Sequence, residues 1–347
     1  MGLKATDVAG AISGLSRRGT MSSDAPAASP AGKLRATPGG SPVIICAMSK
    51  LAAVAGVARA PFLMLPVTLV ASGAAAAAYD GRASLLASGL ALIGLVALHA
   101  AVNAFNEASD MKTGIDLRTT RTPFSGGSGT IQSGALSTGG AIVVGIVGSI
   151  IGLAIGVYFL WQIGWWPLAA IMALGAISVL IYTQVFARNG VGEVFAGLGL
   201  GLLPVIGTAL VQDGVIGPAA WAAGIPAFLM TFNLLLLNEF PDEQADRAGG
   251  RRNLVLLLGR KTAAKVYALA ALATPTAIVV AVLIGAFPPF ALIGVLPSWF
   301  VVPAVKWATA RPGEPVPIPA MAGNVIWNLA TNVCVTVGLG LAAWLRL

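Results

Sequence analysis

Nine apolar stretches dominate this chain, near residues 60–78, 84–108, 139–161, 166–186, 191–212, 218–240, 264–285, 287–308 and 321–345. Each is about long enough to cross ~30 Å of hydrocarbon. In that medium every backbone polar group must be satisfied internally, which leaves helices or a closed barrel. Alternating ten-residue segments of a barrel are missing, so the spans are expected to be helices. Composition agrees, with 57% hydrophobic and only 10% charged residues, where a soluble domain carries roughly 25% charged. The expected fold is an all-α polytopic membrane protein, with nine transmembrane helices around a central cavity. Very short turns inside 166–212 and 264–308 predict two antiparallel hairpins.

Residues 1–50 differ in kind. Positions 21–42 are rich in Ala, Ser, Pro and Gly and carry too little apolar surface to fold alone. With Lys4, Arg17, Arg18, Lys33, Arg35 and Lys50 against Asp7 and Asp24, the segment reads as a disordered basic tail or as a targeting segment. The expected domains are therefore this tail, 1–50, and a membrane domain, 51–347.

Basic residues set the orientation. With a cytoplasmic N-terminus, all of the 21 Lys and Arg except Arg82 and Arg346 fall on the cytoplasmic side. Trp161, Trp165 and Trp166 at one turn read as an interfacial belt, and the 43 Gly as close helix packing. Cys46 and Cys334 have neither metal-type spacing nor a disulfide framework.

Seven of the thirteen acidic residues lie in two short clusters at the cytoplasmic ends of the second and sixth spans. The first contains Asn103, Asn106, Glu107, Asp110, Lys112, Gly114 and Asp116; the second contains Asn238, Glu239, Pro241, Asp242, Glu243, Asp246 and Arg247. Asn238, Asp242 and Asp246 are each four apart and share one helix face, as do Asn106 and Asp110. His99 and Asn103 continue the latter face into the bilayer. Gly114 ends that helix and lets Asp116 fold back. Solvated loop ends do not require this spacing on two distant helices, and ionisable groups at bilayer depth point to function.

Hard divalent cations want oxygen ligands, and Mg²⁺ takes one or two carboxylates together with phosphate oxygens. Two facing carboxylate sets would hold Mg²⁺, as two ions, bridging a diphosphate. Metal-bound diphosphate is a good leaving group, and a dry cavity protects the allylic electrophile left behind.

These two clusters resemble the UbiA superfamily of intramembrane prenyltransferases. Tyr182…Arg188-Asn-Gly-Val-Gly192-Glu193 looks like that family's segment between spans four and five. Arg251-Arg252-Asn253-Leu254 followed by Gly259 looks like its basic run after the second cluster. The resemblance covers about residues 55–345. Within the superfamily the Asp110–Asp116 spacing, with Lys112 and Gly114, is most similar to the 1,4-dihydroxy-2-naphthoate polyprenyltransferases. The loop Pro123–Gly129 and the sequence Tyr182-Thr-Gln-Val depart from that branch.

The resemblance implies that Asp110, Asp116, Asp242 and Asp246, with Asn106 and Asn238, hold Mg²⁺ on an isoprenoid diphosphate. Lys112, Arg188 and Arg251 would contact phosphate oxygens, Tyr182 would stand near the reacting carbon, and the prenyl tail would fill an apolar channel. The implied activity is transfer of a polyprenyl group to an aromatic acceptor, a naphthoate or related quinone precursor, in a menaquinone-type pathway. The expected setting is a bacterial inner membrane with the site facing the cytoplasm. Expected partners are the diphosphate, the acceptor and lipid, with no nucleic acid.

Other readings remain beside this one. A different acceptor (hydroxybenzoate, homogentisate or non-aromatic) fits the same clusters. An ion-coupled transporter would place its carboxylates nearer the midplane, and a phosphatidyl-type alcohol transferase lacks its compact aspartate run here. Gly126-Gly127-Ser128-Gly129 reads equally as a phosphate-binding nest or a flexible turn. His99 reads as a general base or as a ring hydrogen-bonded to a neighbouring helix.

Overall fold

The structure, a computed structural model, describes residues 42–119, 121–164, 166–180 and 189–345. Residues 1–41, with most of the expected tail, and the candidate site residues Tyr182 and Arg188 lie outside the described residues. The chain divides into two units, Met1–Pro42 and Val43–Leu347, and the second holds the membrane helices.

Among the described residues every regular element is helical. In order these are α1 (Pro42–Val57), α2 (Met64–Tyr79), α3 (Leu85–Thr113), α4 (Thr138–Ile163), α5 (Trp166–Leu180), α6 (Gly192–Gly197), α7 (Leu203–Asp213), α8 (Pro218–Ala248), α9 (Leu254–Leu258), α10 (Arg260–Leu283), α11 (Val302–Ala310) and α12 (Ile318–Leu345). A 3₁₀ turn, Ala60–Leu63, leads into α2, and a longer one, Pro289–Val301, leads into α11. The helix α1 begins inside the stretch that composition assigns to the tail.

Among the described residues, eight helical segments are long and apolar enough to cross a membrane, and Trp166–Ser178 is a shorter apolar helix. Eight of the nine expected spans thus appear as full-length helices. The fourth, expected at 166–186, is shorter among the described residues because they stop at Leu180 and resume at Asn189.

Helix ends follow local chemistry. Ser84 caps α3 by accepting from Ala87 N at 3.2 Å, and Ser137 caps α4 by accepting from Gly140 N at 3.0 Å. Gly114 ends α3 in the left-handed region at φ 72°, a conformation open to glycine at little cost. Along α4, Gly145, Gly148 and Gly152 form a buried stripe, and a Cβ on Gly148 would collide with the Ala97 carbonyl of α3. The absent side chains let two backbones approach where no hydrophobic force drives them together.

Polar residues do similar work on α12. Its Asn324, Asn328 and Asn332, four apart, are all buried. Tyr267 of α10 donates to Asn324 Oδ1 at 2.8 Å, and Ser72 of α2 donates to the Asn332 carbonyl at 3.1 Å. Between α6 and α7, residues Leu198–Leu202 form a π turn with Leu200 off helical geometry at φ −118°, ψ 20°. The Leu200 carbonyl is taken up by Thr231 Oγ1 of α8 at 3.1 Å. Such turns are frequent at functional sites, and both residues here line the central cavity.

Candidate active site

An apolar cavity of about 410 Å³ lies between α3, α4, α5, the π turn and α8, in the size range of small-molecule sites. Its walls are mostly Leu, Ile, Phe, Gly and Ala. Among the polar residues that line it, α3 contributes His99, Asn103 and Asn106 and α8 contributes Asn238. His99, Asn103 and Asn106, expected to share one face, therefore all line the chamber.

Beyond Asn106 and Asn238 the acidic residues converge. Arg251, on the turn between α8 and α9, donates from Nη2 to both carboxylate oxygens of Asp110, at 2.5 and 2.8 Å. From Nη1 it reaches Asp246 Oδ1 at 3.2 Å. One guanidinium thus joins the acidic tip of α3 to that of α8. The arrangement is partly shielded from solvent, with side-chain exposures of 15% for Asp110 and 1% for Asp246, so its Coulomb forces are little screened. Asp242 stands one turn before Asp246 and lies within electrostatic reach of Asp246, Arg251, Arg59 and Asp110. Its Oδ1 is buried without a hydrogen-bond partner among the described residues.

Asp116 completes the group. The reversal at Gly114 brings Asp116 N back toward the Asp110 carbonyl, 3.5 Å away. Asp116 Oδ2 accepts from Gln132 Nε2 at 2.9 Å. Burial, then the charges of Asp110 and Glu107, push its carboxyl up to about 7, against the smaller opposing pull of Gln132 and Arg251. A carboxyl raised in the folded state binds its proton there more tightly than in the unfolded chain. Its contribution to stability is present in full below pH 4 and is lost as pH rises to about 7. In EDTA, the melting temperature of the wild type is expected to fall between about pH 4 and 7, and Asp116→Asn to remove part of that slope. Parallel melting curves for the two proteins would count against it.

The glycine loop turns out to serve Glu107 and Asp116. Glu107 is buried and accepts from Ser128 N at 2.5 Å and Ser128 Oγ at 2.8 Å. Gly127 takes φ 72°, and a Cβ there would lie 2.7 Å from Asp116 Oδ2. The loop's Ser128 amide is thus committed to a carboxylate of the protein rather than to an external phosphate. Lys112 is exposed and forms no ion pair among the described residues.

Several further residues support the site. Asn253 caps α9 by accepting from Leu256 N at 3.0 Å while donating to Asp246 Oδ2 at 2.9 Å. Fully buried Glu193 accepts from Leu254 N at 2.6 Å, so the α6 start anchors the turn that carries Arg251. The Asn253 spacing is a legible helix-start signal; Glu193 and Gln132 carry none, because their partners are far away in sequence. His99 is buried, and its Nδ1 has no hydrogen-bond partner among the described residues.

Among the described residues, no three His, Cys, Asp or Glu side chains form a ready-made metal cage. The donors present still suit Mg²⁺, which takes few protein carboxylates and completes its shell with phosphate and water oxygens. Asp110 and Asp246 already share the Arg251 cation between them, and Asp242, one turn before Asp246, has a carboxylate oxygen with no partner among the described residues. The arrangement can hold cations against a polyanion at the mouth of an apolar chamber.

Comparison with known proteins agrees with the fold. The chain is 26% identical over 286 residues to the 1,4-dihydroxy-2-naphthoate octaprenyltransferase of Bacillus subtilis (strain 168), covering 80% of this chain and 90% of that protein. Its fold is similar to the apo structure of a UbiA homolog from Aeropyrum pernix K1, with a TM-score of 0.62 and 18% identity, covering 80% of this chain and 96% of that one. It is also similar to a UbiA homolog from Archaeoglobus fulgidus solved with GPP and Mg²⁺ (TM-score 0.56, 14% identity, 82% and 99% of the two chains). Residues 64–329 match the description of the UbiA prenyltransferase family. The chain belongs to that family and is an integral membrane prenyltransferase.

Proposed function

We propose that this enzyme transfers a polyprenyl group from an allylic isoprenoid diphosphate to an aromatic acceptor, a naphthoate or related quinone precursor, with Mg²⁺ as cofactor. The observation that carries this reading is the joining of Asp110 and Asp246 by Arg251, on the same two helices whose Asn106 and Asn238 line the chamber. The likeness to the Bacillus subtilis naphthoate enzyme supports the choice of acceptor and, with it, a role in menaquinone-type quinone synthesis.

Asp110, Asp116, Asp242 and Asp246, with Asn106 and Asn238, would hold the metal, two ions in this reading. When bound, Mg²⁺ neutralises the diphosphate and makes it a better leaving group. Arg251, Lys112 and Arg188 contribute positive charge to phosphate oxygens, Arg251 by turning from the carboxylates it now bridges. The apolar walls take the prenyl tail and keep water from the allylic carbon. By the resemblance Tyr182 would stand near that carbon. The C1–O bond breaks with the electron pair leaving on diphosphate, a C1–carbon bond to the ring forms, and the ring proton passes to solvent. The site faces the cytoplasm of a bacterial inner membrane, the side given by the basic residues. Family membership sets the transporter reading aside.

Incubating the purified protein with Mg²⁺, one allylic diphosphate and a panel of phenolic and naphthoic acids tests the reading. The expected result is a naphthoic acid gaining one prenyl group and losing one hydrogen, with stoichiometric diphosphate release. Absence of an adduct with every aromatic acid would overturn it.

A further inference from the structure

A second cavity, of about 420 Å³, lies between the start of α3 and the ends of α4 and α7. It is remote from the aspartates, because α3 rises roughly 39 Å from Ser84 to Asp110 at ~1.5 Å per residue. Buried Phe159 and Val211 line both this cavity and the chamber and divide one from the other. Its depth in the bilayer is marked by Trp161 and Trp166, both exposed beside the turn that follows α4. Exposed tryptophans gather at the level of lipid headgroups. Leu86, also in the cavity wall, is exposed on the same margin, as a lipid-facing side chain would be.

Charge at this end is unbalanced. Arg82 donates to Asp213 Oδ1 at 3.3 Å and to the Val215 carbonyl at 3.1 Å, and pairs with Asp80 through its other terminal nitrogen. One guanidinium against two carboxylates leaves one negative charge in excess. Among the described residues, no other Lys or Arg stands in the segments joining α2 to α3, α4 to α5 and α7 to α8. The hydrogen-bonding groups of the cavity are unbalanced in the same direction. Gln212 is committed, accepting from Ser84 N at 2.8 Å and donating to the Thr208 carbonyl at 2.9 Å. Gln162 donates to the Tyr158 hydroxyl at 3.1 Å, which leaves the Gln162 carbonyl as an acceptor and the Tyr158 O–H as a donor. Asp213 Oδ2 adds a charged acceptor with no partner among the described residues.

We propose that this cavity binds the headgroup of a phospholipid carrying a primary ammonium. Asp213 and Gln162 accept from the ammonium, Tyr158 donates to a phosphodiester oxygen, and Leu86 and Leu90 meet the start of the acyl chains. A bare metal ion fits less well, since Ca²⁺ takes six to eight oxygens at short range. A choline headgroup has no N–H to give, and a glycerol headgroup brings a second negative charge to a site that already has one. The bound lipid would tie together the ends of three helices whose other residues line the chamber.

The test is thermal unfolding of the purified full-length chain in detergent, titrated with phosphatidylethanolamine, with phosphatidylcholine or phosphatidylglycerol of the same acyl chains, or with free ethanolamine. Prenyl transfer is not read, so the outcome is independent of the proposed function. Phosphatidylethanolamine is expected to raise the melting temperature by a few degrees at saturation. Its half-effect should come at roughly tenfold lower concentration than for the other two lipids, the scale of one hydrogen bond to a charged group. Free ethanolamine at the same concentrations should give no shift. Asp213→Asn and Gln162→Leu are each expected to remove the preference while leaving the response to phosphatidylcholine unchanged. Asp213→Asn also weakens the contact to Arg82, so the lipid-dependent shift is the readout; Gln162→Leu, at an exposed position, leaves that contact intact. Equal half-effects for the three lipids in wild type would overturn the proposal, as would a preference that survives in both variants. An equal shift with free ethanolamine would overturn a lipid as the occupant.

Discussion

Asp110→Ala is expected to reduce kcat/KM for prenyl transfer by roughly 10²–10³-fold or more, the scale lost when one preorganised charge-stabilising group is removed. Asp110 supplies both oxygens that Arg251 grips from the α8 side, so the change removes a metal-binding carboxylate and the tie between the two clusters together. Asp110→Asn keeps the volume and should be nearly as inactive, because what is lost is charge. The fold should survive. Alanine suits a helix end, and Arg251 keeps its contact to Asp246 at 3.2 Å, which limits the destabilisation to about 2 kcal/mol, below the cost of stranding a fully buried charge. Transfer assays read beside thermal unfolding separate the two effects. Near-normal turnover in a folded Asp110→Ala protein would remove the carboxylate cluster from the mechanism.

Arg251→Leu should act in the opposite electrostatic sense. With the guanidinium gone, Asp110, Asp242 and Asp246 repel one another in a poorly solvated setting. The expected result in EDTA is a melting temperature several degrees below wild type, on the scale of about 1–2 kcal/mol for a domain this large. Millimolar Mg²⁺ should raise the melting temperature of the variant more than that of the wild type, since in the variant the cation meets carboxylates with no resident counter-charge. Transfer should still fall by about 10²-fold, because the same guanidinium is needed by phosphate. Equal Mg²⁺ shifts in both proteins would mean that Arg251 does not stand where the metal binds.

Much of this site is legible in the sequence because helical periodicity carries it. The spacing of Asn238, Asp242 and Asp246 survives folding as one face of the continuous helix Pro218–Ala248, and Gly114 reverses the chain as a glycine at a helix end should. The role of Arg251 is different. Its bond to Asp110 spans 141 positions, and no local pattern shows which of several nearby basic residues will make it. Gln132 on Asp116 and Glu193 on Leu254 are hidden for the same reason, as is the buried asparagine ladder of α12, whose four-residue period is visible but whose facing partners are not.

Span counting succeeds where hydrocarbon thickness sets the length and is weakest in the fourth span, whose described helix stops at Leu180. The N-terminal boundary is also moved, since Pro42–Val57 is helical although composition groups its first residues with the tail. A short apolar run beside a Pro- and Gly-rich stretch gives no periodicity that separates the two.

The π turn at Leu198–Leu202 has a consequence for how such enzymes diversify. It sits with α4 and α5 in the walls of the chamber, and none of these three carries an aspartate of the cluster. Contour and chemistry therefore belong to separate parts of the protein. Lengthening, tightening or regularising that one turn re-tailors the pocket for a shorter or longer hydrocarbon while the reacting end stays where it is.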